Sequence, residues 1–383
     1  MMIITSTLEL ELACAELTKS NFVTVDTEFL RDVTFWPQLC LIQIATPKMG
    51  IIIDPLDSEI NLSAFFNLML NPSIVKVFHA ARQDIEIIFH MSRQIPTPIF
   101  DTQVAAMVCG FRESISYDTL VRKLLGQQID KSSRFTNWHQ RPLSSKQLDY
   151  ALADVTYLCE IYTILKAELE QTKRSEWLKE EMSILENPQT YNLPPEEIWK
   201  RIKNRLKKPQ ELAVLKYITT WREHEARSQN VPRNRIIKDE TLIEIAQQQP
   251  RTSKDIEKLR SIHGSWKHSD QSKKIIEAVN TALALPINEM PQPSYKTPYS
   301  EESTAATELL KVLLKLTCEK NKVAPKLIAN GNDLEKIATE GDKANVIALS
   351  GWRREIFGEK ALKMISGHLA LGFLNNRIEE IKI

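Results

Sequence analysis

A chain of 383 residues is long enough for two or three domains and a sizeable core. Hydrophobic residues make up 43% and charged residues 26%, no apolar run approaches the ~18 residues of a membrane span, and five scattered cysteines without CxxC spacing exclude a zinc ribbon or a disulfide framework. The formal net charge of +1 conceals an asymmetry: residues 1–195 carry 17 basic against 24 acidic side chains, residues 196–285 carry 19 against 12. An acidic piece beside a basic piece suggests a metal-using half and a phosphate-binding half, with solvated helix faces as the competing explanation.

The first segment, "MMIITSTLELELACAEL", has no basic start and carries acids early, so it does not read as a signal peptide, and a reducing, cytoplasmic location is the expectation. Strand signals follow in "MIIT", "FVTVDTEF", "LCLIQIAT", "GIIIDPL", "IVKVFHA" and "TPIF". Helical periodicity marks Leu8–Lys19, Leu62–Leu70, Ala81–Arg93, Thr102–Gly110, Tyr117–Leu125 and a long run from Ser145 to about Glu170. Together these predict a mixed α/β sheet domain over residues 1–190. "NPQTYNLPPEE" breaks the pattern as a linker, residues 205–285 are helical throughout, "ALPINEMPQPSYKTPYSEES" reads as a second linker, and residues 300–383 are again helical. Two all-α helical bundles are therefore expected after the α/β domain.

Chemistry concentrates in the first domain. Asp26 and Glu28 in "VDTEF" are two apart on a strand and so share one face. Asp84 falls in the first turn of the helix after "IVKVFHA", and Tyr150 and Asp154 are i and i+4 on the long helix. Four acids without matching Lys or Arg call for divalent cations, and an all-oxygen ligand set suits Mg²⁺ or Mn²⁺. Two such ions about 3.5–4 Å apart serve phosphodiester cleavage. A tyrosine beside them, with a pKa near ~10, positions a water better than it deprotonates one. Taken singly each piece is weak; DxE in a strand, an acid in a first helical turn and YxxxD on a helix all have bland structural explanations.

Their order and surroundings are specific. "VDTEFLRDVTFWPQLCLIQIAT", "VFHAARQDIEII", "IFDTQVAA", "RPLSSKQLDYALADVTYL" and "GWRREIFG" resemble the ribonuclease D family, on the tyrosine branch of the DEDD exonuclease superfamily. The histidine branch would place a histidine five residues before the last aspartate, where Asp149 stands. The resemblance implies a ribonuclease-H-like exonuclease domain followed by two helicase-and-RNase-D C-terminal (HRDC) domains. It also implies Asp26, Glu28, Asp84 and Asp154 as ligands of two divalent ions, and Tyr150 as the residue that orients the attacking water. Asp101 in "FDTQ", Asp54 and Asp149 are expected to be structural or surface acids.

Several residues are candidates for nucleic-acid contact, each with a packing alternative. Trp36 can stack on a base and Gln38 or Gln43 can touch sugar or phosphate. His79 is a strand-end histidine within reach of the site. "RFTNWHQRPLS" presents Arg134, Trp138, His139 and Arg141 just before the catalytic helix. In the basic segment Arg222, Arg227, Arg233, Arg235 and Lys238 form a candidate phosphate patch. The leading expectation is a 3′→5′ exoribonuclease acting on tRNA precursors and other small structured RNAs and releasing nucleoside 5′-monophosphates, with no obligate protein partner and no membrane. A DNA exonuclease and a catalytically silent RNA-binding scaffold are the alternatives. A helicase is not expected, because the chain has no GxxxxGK[ST] loop.

Overall fold

The computed structural model of the chain describes residues 2–262, 266, 269–293 and 301–383, so part of the second expected linker lies outside the described residues. The N-terminal part builds a six-stranded sheet from β1 (Met2–Ile4), β2 (Phe22–Leu30), β3 (Gln38–Thr46), β4 (Met49–Ile53), β5 (Val75–Phe78) and β6 (Ile99–Asp101), in the order β1-β4-β3-β2-β5-β6. β2 pairs antiparallel with β3 and parallel with β5, so the sheet is mixed, as the alternation of runs predicts. Seven of the nine β3 residues are buried, which explains why "LCLIQIAT" is almost continuously apolar rather than alternating.

Helices α1 (Thr7–Leu17), α2 (Ser63–Leu70), α3 (Arg82–Ser92), α4 (Thr102–Val108), α5 (Tyr117–Leu125), α6 (Ser145–Gln171) and α7 (Ser175–Leu185) surround the sheet. α6 starts at a capping box, in which the Ser144 hydroxyl accepts from the Gln147 N–H and the Gln147 side chain accepts from the Ser144 N–H. It then crosses β2, β3 and β4, burying Leu148, Ala151, Val155, Leu158 and Leu165. Asp101 caps α4 and also receives the N–H groups of Ala80 and Ala81 at 3.0 and 2.9 Å, which holds Ala80 at φ +61 just before α3. Its role is therefore structural, as expected.

Beyond two 3₁₀ turns at Pro188–Thr190 and Pro195–Arg201, α8 (Pro209–Ser228) packs with helices Asp239–Gln248 and Asp270–Leu283 around a separate core that includes Leu215, Ile245 and Val279. Phe35, from the loop after β2, is part of that core.

The last segment departs from expectation in two ways. It is not all-α: Leu369–Leu374 (β7) and Arg377–Lys382 (β8) form an antiparallel hairpin. Asn375 and Asn376 turn it with φ of +49 and +59, which non-glycine residues adopt readily only when they are Asn or Asp. Nor is its core separate. Leu310, Leu313, Ile328, Ile337, Trp352 and Phe357 belong to one apolar cluster with Val25, Val77 and Ile161 of the sheet domain. Buried Arg353 donates to Glu180 at 2.7 Å, to Glu181 and to Leu327 O at 2.6 Å, and Trp352 stacks on Trp177 at 4.1 Å between centroids.

Candidate active site

β2 and α6 together build the site. In register, Asp26 faces Gln43 and Glu28 faces Leu41, and the pairing shifts immediately after Glu28. Such an irregularity re-aims side chains at the end of a strand. α6 lies over this face: the Thr24 hydroxyl donates to Val155 O at 2.8 Å and the Tyr117 hydroxyl to Ala153 O at 3.0 Å, one residue either side of Asp154. Carboxylate oxygens of Asp26, Glu28 and Asp154 consequently all fall within 4.8 Å of one another. They line a cleft of about 490 Å³ together with Tyr150, Arg134 and Phe135.

Burial and mutual repulsion govern the electrostatics. Desolvation, then the charges of Asp26, Asp154 and Asp84, push Glu28 up to about 10, against some relief from Arg134. Asp26 is raised well above its ordinary value by burial and by Asp154. Asp154 rises to about 7 through burial, moderated by a hydrogen bond from Tyr150 and by Arg134. The Tyr150 phenol is itself driven upward by burial and by the same carboxylates, so it stays protonated and acts as a donor. Three convergent carboxylates that cannot all ionise alone, with only oxygen donors, fit a hard divalent cation.

Asp84 stands slightly apart. It is buried in the first turn of α3, and its Oδ1 accepts from the Thr27 hydroxyl at 2.5 Å. It still contributes to the repulsion felt by Glu28 and is raised by burial and by Asp26. Gln43, opposite Asp26, is fully buried, and neither end of its amide has a protein partner. It therefore does not reach a substrate in this geometry, whereas Gln38 is exposed at the start of β3.

Most of the other candidate side chains already have partners within the protein. His79 lines the carboxylate cleft, with both ring nitrogens engaged, Nδ1 with Thr102 Oγ1 at 2.9 Å and Nε2 with Ile115 O at 3.0 Å. Trp36 stacks on His90 at 4.0 Å and is edge-on to Phe35, where it also lines a groove at the joint between the exonuclease domain and α8. Trp138 is 2% exposed and packs on Leu41, Ile52 and Leu148. Arg141 binds Asp54 through two nitrogens and also Cys40 O, pinning the loop. Arg222 is 2% exposed and donates to Ile237 O and Asp239. Arg227 and Arg233 converge on buried Glu223. Arg235 and Lys238 remain exposed. Sequence reasoning overlooked Phe135: it is 90% exposed at the cleft mouth with the Arg134 guanidinium 5.1 Å from its ring centre. The basic-aromatic composition of the loop was the signal; which aromatic turns outward depended on the fold.

Residues 1–170 match the 3′-5′ exonuclease family and residues 211–279 match the HRDC domain. Over 99% of its length the chain is 52% identical to ribonuclease D of Bartonella henselae, covering 93% of that protein, and 47% identical to ribonuclease D of Nitrobacter hamburgensis, covering 99% of it. The chain belongs to the ribonuclease D family. It is thus an exoribonuclease with a 3′-5′ exonuclease domain. The crystal structure of Escherichia coli RNase D, described as an exoribonuclease involved in structured RNA processing, superposes with a TM-score of 0.84 at 29% identity over 96% of this chain and 98% of that one. That relative thus shares the architecture over nearly the whole length of this chain. No helix among the described residues is long and apolar enough to cross a membrane.

Proposed function

We propose that the chain trims RNA 3′ ends one nucleotide at a time by metal-assisted hydrolysis, releasing nucleoside 5′-monophosphates. The convergence of Asp26, Glu28 and Asp154 within 4.8 Å carries this reading. Asp26, Glu28 and Asp154, joined by Asp84, would hold two Mg²⁺ or Mn²⁺ ions. When bound, such ions supply an activated water and neutralise charge on the leaving oxygen. Tyr150, protonated and fixed by its bond to Asp154, orients the attacking water through its hydroxyl. Arg134 offers a cation to the phosphate at the cleft mouth, and the exposed Phe135 ring offers a face on which the terminal base stacks. The substrates best suited are tRNA precursors and other small structured RNAs with a free 3′ tail, the structured-RNA role described for the Escherichia coli relative. An exonuclease domain over 1–190 that shares its core with 300–383, and a central HRDC unit over 205–285 adding nucleic-acid affinity, serve this reading. Digestion of 3′- and 5′-end-labelled RNA and DNA in Mg²⁺, Mn²⁺ or EDTA tests it. Stepwise loss from the RNA 3′ end, abolished by EDTA, is expected; endonucleolytic products or metal-independent cleavage would overturn it.

A further inference from the structure

The cations expected to form a phosphate patch in the basic segment are largely committed inside it, but others stand free at the seam between the exonuclease domain and α8. A groove of about 340 Å³ there is lined by Arg31, Arg82, Arg201, Arg227 and Arg233, with Tyr191. Arg31 is matched by Glu86 at 2.9 Å. Arg227 and Arg233 share the single charge of Glu223, leaving one positive charge between them. Arg82 and Arg201 are exposed and form no ion pair among the described residues. One charge from the Glu223 trio, one from Arg82 and one from Arg201 leave the groove three positive charges in excess.

Its position follows from the two elements that carry the acids. β2 bears Asp26 and Glu28 and leads to Arg31, three residues past Glu28, or about 10 Å at 3.3 Å per residue. α3 bears Asp84 in its first turn and begins with Arg82, two positions earlier, so Arg82 faces solvent while Asp84 is buried. The segments that carry the acids thus also contribute Arg31 and Arg82 to the groove, although the groove and the carboxylate cleft share no lining residue. A guanidinium binds phosphate through two nitrogens at once and is always charged, which makes arginine rather than lysine effective at such a place.

We propose that this seam binds backbone phosphates of the RNA strand a few nucleotides upstream of the bond being cut, with Arg82 and Arg201 as the phosphate ligands. The proposal rests on the hydrolytic reading of the carboxylate cluster. Phosphate contacts carry no base information, so the seam confers dependence on strand length and not on sequence. The HRDC unit contributes the other wall of the groove through Arg227 and Arg233.

The test uses the full chain and its Arg82→Ala/Arg201→Ala variant. Affinity for a labelled single-stranded RNA of about 20 nucleotides is measured in EDTA across a potassium chloride series, and kcat/KM is compared for that RNA and a dinucleotide in Mg²⁺. At about 0.7 per neutralised phosphate on single strands, the slope of log K against log salt should shrink by roughly 1.4. The ratio of kcat/KM for the long RNA to that for the dinucleotide should fall roughly tenfold. Arg82→Lys/Arg201→Lys should restore most of the slope, since the charge is kept. An unchanged slope or ratio in the alanine variant, beside an active parent, overturns the seam alone. A parent that neither binds nor cuts RNA overturns the hydrolytic reading and the seam with it.

Discussion

The Thr27 hydroxyl donates to Asp84 Oδ1 at 2.5 Å from the face of β2 opposite to Asp26 and Glu28. One strand thus positions three acids, two through its own side chains and a third through a threonine between them. Groups that orient ligands typically matter by about 10–100-fold in metal affinity or activity. Thr27→Val should weaken Mg²⁺ binding, measured by titration calorimetry, within that range, and Thr27→Ser should recover it. Equal affinity in all three proteins would show that Asp84 needs no such support.

Asp26→Asn and Asp154→Asn each remove a donor from the cluster. Turnover should fall by at least about 10³-fold, because interactions acting as a unit are lost together. Binding of single-stranded RNA, read by anisotropy, should persist. Tyr150→Phe should lower kcat by about 10–100-fold with little change in metal affinity, if its hydroxyl orients the attacking water as proposed.

Acidity within the cluster couples stability to pH. Asp154 ordinarily titrates at 3.8 and is pushed to about 7, while Glu28 moves from 4.5 to about 10. The folded chain therefore holds these protons more tightly than the unfolded chain. Their contribution to stability is full below about pH 4 and is lost as pH rises through 7 and towards 10. A cation needs the deprotonated forms and relieves that loss. The rise in Tm on adding MgCl₂ should accordingly be larger at pH 8 than at pH 5.5; scanning fluorimetry giving the same rise at both would contradict the assignment.

Phe135→Ala should raise KM for RNA by about 5-fold or more, given about 1–3 kcal/mol per stacked base. Phe135→Trp should hold KM near the parent value. Trp138→Ala, by contrast, should lower Tm, because that ring is buried.

Arg353→Ala removes a buried cation shared by Glu180, Glu181 and Leu327 O. Stranding partly buried carboxylates costs about 3 kcal/mol. Melting should drop by several degrees for the sheet domain and the last segment together. Two separated transitions, with only the later segment shifted, would contradict a shared core.

What could be read from sequence followed the range of the interactions involved. β2 and α6 were legible because alternation and 3–4 spacing are local, whereas the acids could be grouped because their order along the chain and the surrounding motifs resemble the ribonuclease D family. The fates of Trp36, Trp138 and Arg222 were not, because a ring stacks on His90 or a guanidinium meets Asp239 only after distant segments dock. The β7–β8 hairpin was different: two adjacent asparagines between short apolar runs in "LALGFLNNRIEEI" are a turn signal, outweighed by the helical periodicity before them.

The shared core has a consequence for synthesis. Ile161 and Val77 pack in one cluster with Trp352 and Phe357, which leave the ribosome nearly two hundred residues later than α6. At about 5–20 residues per second, that part of the catalytic domain stays unfinished for roughly 10–40 s of translation. Throughout that interval the apolar surface that Trp352 and Phe357 cover in the folded protein has no such cover, so the catalytic domain depends on residues made long after its own.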